Sequence, residues 1–261
     1  MKNIGRLQNK VKSFPPAYFA LVMATGIIST GCGQLQYNLL ATFLFVLNNV
    51  QYIILFFILI VRIIFYFPEI KKDLATHSKG AGFLTYVAGT SILGIGYVQA
   101  HQMFIAGIIF LIFAAISWLI IICSFLASVI IQQEKPSIQN GINGSWLLLI
   151  VSTQSLVILA TALAHHLSLS IEIILFASLS AWLAGIMLYV IFVTFIMYRL
   201  IFNPLNASDT SPSYWIDTGA AAITTVSGAS LSTVLAGSGY FMEYLPVINL
   251  LSLLFWAVGT F

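Results

Sequence analysis

The chain has 261 residues, of which 60% are hydrophobic and only 7% charged, and its ten basic and seven acidic residues leave a net charge of +3. A soluble domain carries about 25% charged residues, and no soluble fold of this size hides so much apolar surface. The apolar runs are continuous where lipid-facing strands would alternate, so a barrel is disfavoured and the fold class is an all-α polytopic membrane protein.

The first apolar segment, near 15–33, lies in "FPPAYFALVMATGIISTGCG". Lys2, Arg6, Lys10 and Lys12 ahead of it imitate a signal peptide, and "STGC" imitates a lipoprotein cleavage site. Ser29 holds the position three before Cys32, where such a site takes an apolar residue, and seven more apolar segments follow, so this segment stays in the protein. The second, near 38–66, has no glycine. At ~1.5 Å per residue it runs ~43 Å, beyond a hydrocarbon core of about 30 Å, and so must tilt or project. The others fall near 82–98, 103–131, 145–164, 169–199, 213–235 and 245–261.

Short connections ("QLQYN", "VQAHQ", "AHHLSLS") alternate with longer charged ones ("FPEIKKDLATHSKGAG", "QQEKPSIQNGING", "NPLNASDTSPS"), which predicts four helical hairpins. Every basic residue lies on the side of the N-terminus and the longer loops. The positive-inside rule therefore predicts a plasma (inner) membrane protein with a cytoplasmic N-terminal segment, 1–13, and hairpin turns facing outward. Cys32 and Cys123 sit in apolar runs without metal-ligand spacing and read as small hydrophobes.

The odd segments hold most of the small and hydroxylated residues. These are Thr25, Gly26 and Ser29 in the first, Gly89, Thr90, Ser91 and Gly94 in the third, Ser152, Thr153, Gln154 and Ser155 in the fifth, and Gly219, Thr224, Thr225, Ser227 and Gly228 in the seventh. They also repeat. Tyr18, Phe83, Trp146 and Tyr214 stand 65, 63 and 68 residues apart, and each precedes by seven residues a small position: Thr25, Thr90, Thr153 and Ala221. Parallel repeats of one hairpin imply rotational pseudo-symmetry about an axis along the membrane normal. Small residues could serve only close helix packing. Their recurrence at one depth in one class of helix favours a polar path lined by the odd helices, with a bend at Thr25–Gly26 and the even helices facing lipid.

Asp217, at the N-terminal end of the seventh segment, reads either as a cation or proton site or as a solvated interfacial carboxylate, the second being favoured. Arg62 and Arg199, at the ends of even segments, are predicted to snorkel to water. His165 and His166 lack an HExxH context, so no metal is expected. Without a catalytic constellation, a phosphate loop or an intramembrane lysine, an enzyme is the weaker class, and no cofactor and no nucleic-acid partner are expected. A path nearly free of fixed charge selects by shape, hydroxyl donors and backbone dipoles.

The motifs "FPPAYFALVMATGIIS", "GFLTYVAGTSILG", "NGSWLLLIVSTQSLVIL", "YWIDTGAAAITTVSG" and "FWAVGTF" resemble, in order and from about residue 14 to 261, the tellurite-resistance/dicarboxylate transporter family. That family includes malate permeases, sulfite exporters and slow anion channels. The resemblance implies ten helices in five hairpins, kinked odd helices around a central pore, a homotrimer, and passage of C4-dicarboxylates such as malate or of small inorganic anions. It carries pore-lining roles over to Thr25 and Gly26, Gly89 and Thr90, Ser152 and Thr153, and Gly219 and Ala220. Asp217 stands where the family more often has a neutral polar residue. Eight helices are visible of the expected ten, so the single transmembrane domain, 1–261, is expected to be truncated before the fifth hairpin, which in the family carries a pore-plugging phenylalanine. A non-transporting fragment is the alternative reading.

Overall fold

The computed structural model describes residues 9–204 and 212–261. Lys2 and Arg6, with most of the predicted cytoplasmic segment, and residues 205–211 of the last long loop lie outside the described residues. Among the described residues eight helices are long and apolar enough to cross a membrane: α1 Pro16–Gln34, α2 Asn38–Phe65, α3 Gly80–His101, α4 Phe104–Ile131, α5 Gly144–Ala162, α6 Ile171–Phe202, α7 Pro212–Ser238 and α8 Met242–Thr260. Each begins and ends within three residues of its predicted position. No strand occurs among the described residues.

The repeat has a backbone signature. Every odd helix opens with a four-residue 3-10 turn: Pro16–Phe19, Gly80–Phe83, Gly144–Leu147 and Pro212–Trp215. All four turns begin on Pro or Gly, and all four contain the repeating aromatic: Tyr18, Phe83, Trp146 or Tyr214. The tight winding suits a helix start, where the first N–H groups have no intrahelical acceptor and Pro loses nothing by lacking one. The helical ladder then runs unbroken through Thr25–Gly26, about two turns beyond the 3-10 turn. At the opposite end, Gln36, Gln102 and Phe241 take left-handed φ values of 63°, 52° and 54° in three of the four hairpin turns. At Gln36 and Gln102 this lets the helix end close on itself through backbone N–H groups, a part Gly239 (φ 78°) plays for α7, while Phe241 precedes the opening turn of α8.

The odd helices pack in sequence, α1 on α3, α3 on α5 and α5 on α7, with no comparable contact between α1 and α7. Each even helix packs on its hairpin partner, and α2, α4 and α6 also touch the next odd helix. The result is an arc of odd helices with the even ones on its outer side. In α3, 94% of the best membrane stretch is buried and in α5 78%, against 11% in the more apolar α2 and α4. The core joins Phe19 and Val22 of α1 to Leu84 and Val87 of α3, Leu149 and Ile150 of α5, and Ala220 and Ile223 of α7.

Arg62 and Arg199 do not snorkel. Arg62 is 1% exposed and pairs with Asp73 of the short amphipathic helix Phe67–Leu74, with Lys79 Nζ 3.5 Å from the other carboxylate oxygen. Arg199 is also buried; it donates to the Ile142 carbonyl (2.9 Å) and to the Tyr214 hydroxyl, and its guanidinium lies 5.8 Å from the Tyr214 ring centre. For Arg62 the following loop folds back and supplies the acceptor, and for Arg199 the acceptors come from the loop before α5 and the opening turn of α7. Burial of a charge is tolerable only with such partners. Snorkelling assumed that water was the only partner available.

His77, in the loop before α3, lies 6.1 Å from the Trp146 ring, and burial first, then the nearby Lys135 charge, hold its pKa below the ordinary 6.5. The folded state therefore binds fewer protons than the unfolded chain, so His77 contributes stability at high pH that is lost as pH falls below about 6.5. Titration of the His77 ring signals by NMR should give a pKa under 6.5, moving upward in Lys135→Gln; an unperturbed value would contradict this environment.

Candidate functional site

The predicted site residues lie along the four odd helices, and most are tied into helix contacts. On α1, Val22, Thr25, Gly26 and Ser29 share the buried face. A Cβ at Gly26 would stand 2.6 Å from Ile92 Cγ2 and 2.7 Å from Asn48 Nδ2, so this glycine permits close approach of α1 to α3 and α2. Ser29 donates to the Ala41 carbonyl across the hairpin, 2.8 Å away. Gly89 faces back to α1, where an added Cβ would meet the Phe19 carbonyl at 3.2 Å.

The hydroxyls of Thr90, Ser152, Thr153 and Thr224 donate to carbonyls three or four residues earlier in their own helices. Thr90 and Thr153 also accept from the preceding even helix. The Tyr52 hydroxyl lies 3.1 Å from Thr90 Oγ1, and because the Thr90 proton is committed to Tyr86, tyrosine is the donor. Trp118 Nε1 donates to Thr153 Oγ1 at 2.9 Å. At the third such position Trp182 Nε1 donates to the Thr224 carbonyl at 3.0 Å. Ala221, the repeat-related residue, has no hydroxyl to offer there. Sequence reasoning missed these three donors, although their spacing of 66 and 64 residues matches the hairpin repeat and could have revealed them.

Gln154 is fully buried. It donates to the Trp182 carbonyl (3.2 Å) and accepts from Ser227 Oγ (2.9 Å), joining α5, α6 and α7 in one polar knot.

Three candidates stand apart. Ser91 is fully buried, and its hydroxyl has no partner. On α3 the contacts of Gly89 with α1, of Thr90 with α2 and of Gly94 with Phe110 of α4 and Leu159 of α5 assign three sides of the helix. Leu84, Ala88, Ser91 and Ile95, at spacings of four, three and four residues, share a further face of the helix. All four are buried, and Leu84, Ala88 and Ile95 belong to the hydrophobic core. Asp217 lies in the first turn of α7, partly covered, with Oδ1 sealed from solvent and without a hydrogen-bond partner; it is not the freely solvated carboxylate expected. The helix N-terminus there suits its negative charge. Gly219 has open space around it, while Ala220 next to it is fully buried.

Two cavities flank this belt. On the hairpin-turn side, a polar one of about 440 Å³ is lined by Ser29, Thr30, Gln34, Thr42, Gln99 and His101 among others. On the N-terminal side, a larger one of about 930 Å³ lies between α2 and α4.

The family model of the voltage-dependent anion channels (SLAC1) matches residues 13–261. Two proteins of Methanocaldococcus jannaschii, each named an uncharacterized transporter, are similar along almost the whole chain. One is 24% identical, covering 97% of this chain and 74% of the relative, and the other is 25% identical, covering 95% and 72%. No solved structure matches. With the family model spanning all eight helices, the chain belongs to the SLAC1 voltage-dependent anion channel family, the tellurite-resistance/dicarboxylate transporter group that its motifs resemble.

Proposed function

We propose that the chain carries C4-dicarboxylates such as malate, or small inorganic anions, along the concave side of the odd-helix arc. Ser91 carries the reading. It is the only fully enclosed hydroxyl without a partner among the described residues, and it lies on the most deeply buried of the odd helices. A buried hydroxyl without an acceptor is costly, and an anion passing that point supplies the acceptor. Family membership supports the substrate class and a non-enzymatic role. The clustering of Lys10, Lys12, Lys71, Lys72, Lys79 and Lys135 at the end opposite the hairpin turns supports an inner-membrane placement with the N-terminus cytoplasmic. A homotrimer, one path per subunit, goes with the same reading on family grounds.

The experiment is anion flux into proteoliposomes made with the full chain. Malate, chloride or sulfite should move. Ser91→Ala should slow the flux about tenfold, the worth of roughly one hydrogen bond to a charged group. Ser152→Ala, whose hydroxyl is spent on its own helix, should leave the flux unchanged. No movement of any of the three anions in either direction sinks the proposal.

A further inference from the structure

The cavity between α2 and α4 lies beneath the amphipathic helix Phe67–Leu74, and none of the residues predicted for anion passage lines it. Its walls are chiefly apolar, among them Leu59, Ile63, Ile70 and Ile121. Arg62 and Lys71 also line it. Arg62 Nη2 is taken by Asp73, but Nε is buried without a partner in a side chain that is 1% exposed. A guanidinium N–H left unmet at that depth is costly, and an anionic oxygen would offset the cost with a charge-assisted bond.

The volume suits a bound small molecule. The chemistry is that of an amphiphile: hydrocarbon between two outer helices that are themselves lipid-facing, and cations where an interfacial helix marks the headgroup level. A free phosphate would leave the apolar volume unfilled, and an uncharged lipid would bring no anion to the cations. Basic pockets between membrane helices at the cytoplasmic surface bind anionic headgroups by the same logic. We propose that this cavity holds an anionic phospholipid from the leaflet on the N-terminal side. Its phosphate accepts from Arg62 Nε and faces Lys71, and its acyl chain lies between α2 and α4.

The test is native mass spectrometry of the purified full chain given phosphatidylglycerol or phosphatidylcholine with identical acyl chains. Phosphatidylglycerol should be retained preferentially. Lys71→Gln should cut that preference about fivefold, the worth of one lysine near an anionic headgroup. Ser124→Trp, which fills the cavity from α4, should abolish retention of both lipids. Circular dichroism of each variant establishes that it is folded, and Ser128→Trp fills the same cavity from another turn should Ser124→Trp fail that check. Equal retention of the two lipids, a preference that survives both substitutions, or lipid-free oligomers in which a second copy of the chain closes the cavity overturns the proposal.

Discussion

Trp182→Ala should be the most damaging single truncation in the protein, lowering stability by about 3 kcal/mol. Trp182 is the largest fully buried side chain. It packs against Gly228, where an added Cβ would lie 2.7 Å from its ring, and it holds the Thr224 carbonyl while its own carbonyl receives Gln154. In water, emptying such a site costs 3–5 kcal/mol. Inside a membrane the hydrophobic contribution is weaker, because lipid is as apolar as the core, so the lower end applies. Trp182→Phe keeps most of the volume and loses only the indole N–H, so about 1 kcal/mol is expected. Reversible unfolding in mixed micelles, followed by far-ultraviolet circular dichroism, measures both. Equal losses in the two variants would show that packing around the ring is unimportant.

Gly144→Ala should rank next, at about 3 kcal/mol, although the substitution adds a single methyl group. The new Cβ would stand 2.1 Å from the Ser213 carbonyl oxygen and 2.4 Å from its carbon. These are backbone atoms at the opening turn of α7, so no side chain can swing aside and the 3-10 turns of α5 and α7 must separate. Overpacking costs 1–3 kcal/mol, and more where backbone has to yield. Gly219→Ala is the matched comparison. Nothing lies within 4 Å of a Cβ there, and alanine favours the helix by up to about 1 kcal/mol, so that variant should be unchanged or slightly stabilised. A Gly144→Ala protein as stable as the Gly219→Ala protein would refute the contact between the two turns.

The eight helices, their pairing and the 63–68-residue repeat could be read in advance because a bilayer imposes a length and a composition on anything that crosses it. The aromatic anchors were visible for the same reason, and each lies in a 3-10 turn that the sequence did not announce. What the small residues do was not legible. Gly26, Gly89 and Ser91 look alike in the sequence, yet two of them close helix contacts and one holds a buried hydroxyl without a partner. A helix buried on every side, as α3 is, has no polar face from which the direction of any one residue could be read. The buried pair of Arg62 and Asp73 escaped for a different reason. Basic residues at helix ends were assigned to water by rule, and the folding back of Phe67–Leu74 that supplies the acid is a tertiary event.

The forward reach of the even helices bears on how the chain is built. Tyr52, Trp118 and Trp182 each carry a donor whose acceptor lies not in their own hairpin but in the hairpin that is synthesised next. A hairpin released into the bilayer alone thus exposes a polar group to hydrocarbon until its successor arrives. Each arrival removes that penalty and leaves another at the growing edge. The arrangement favours one direction of assembly: hairpins that dock in the order of translation each find the acceptor they need in the next arrival, and skipping a hairpin would leave Tyr52, Trp118 or Trp182 facing the wrong partner.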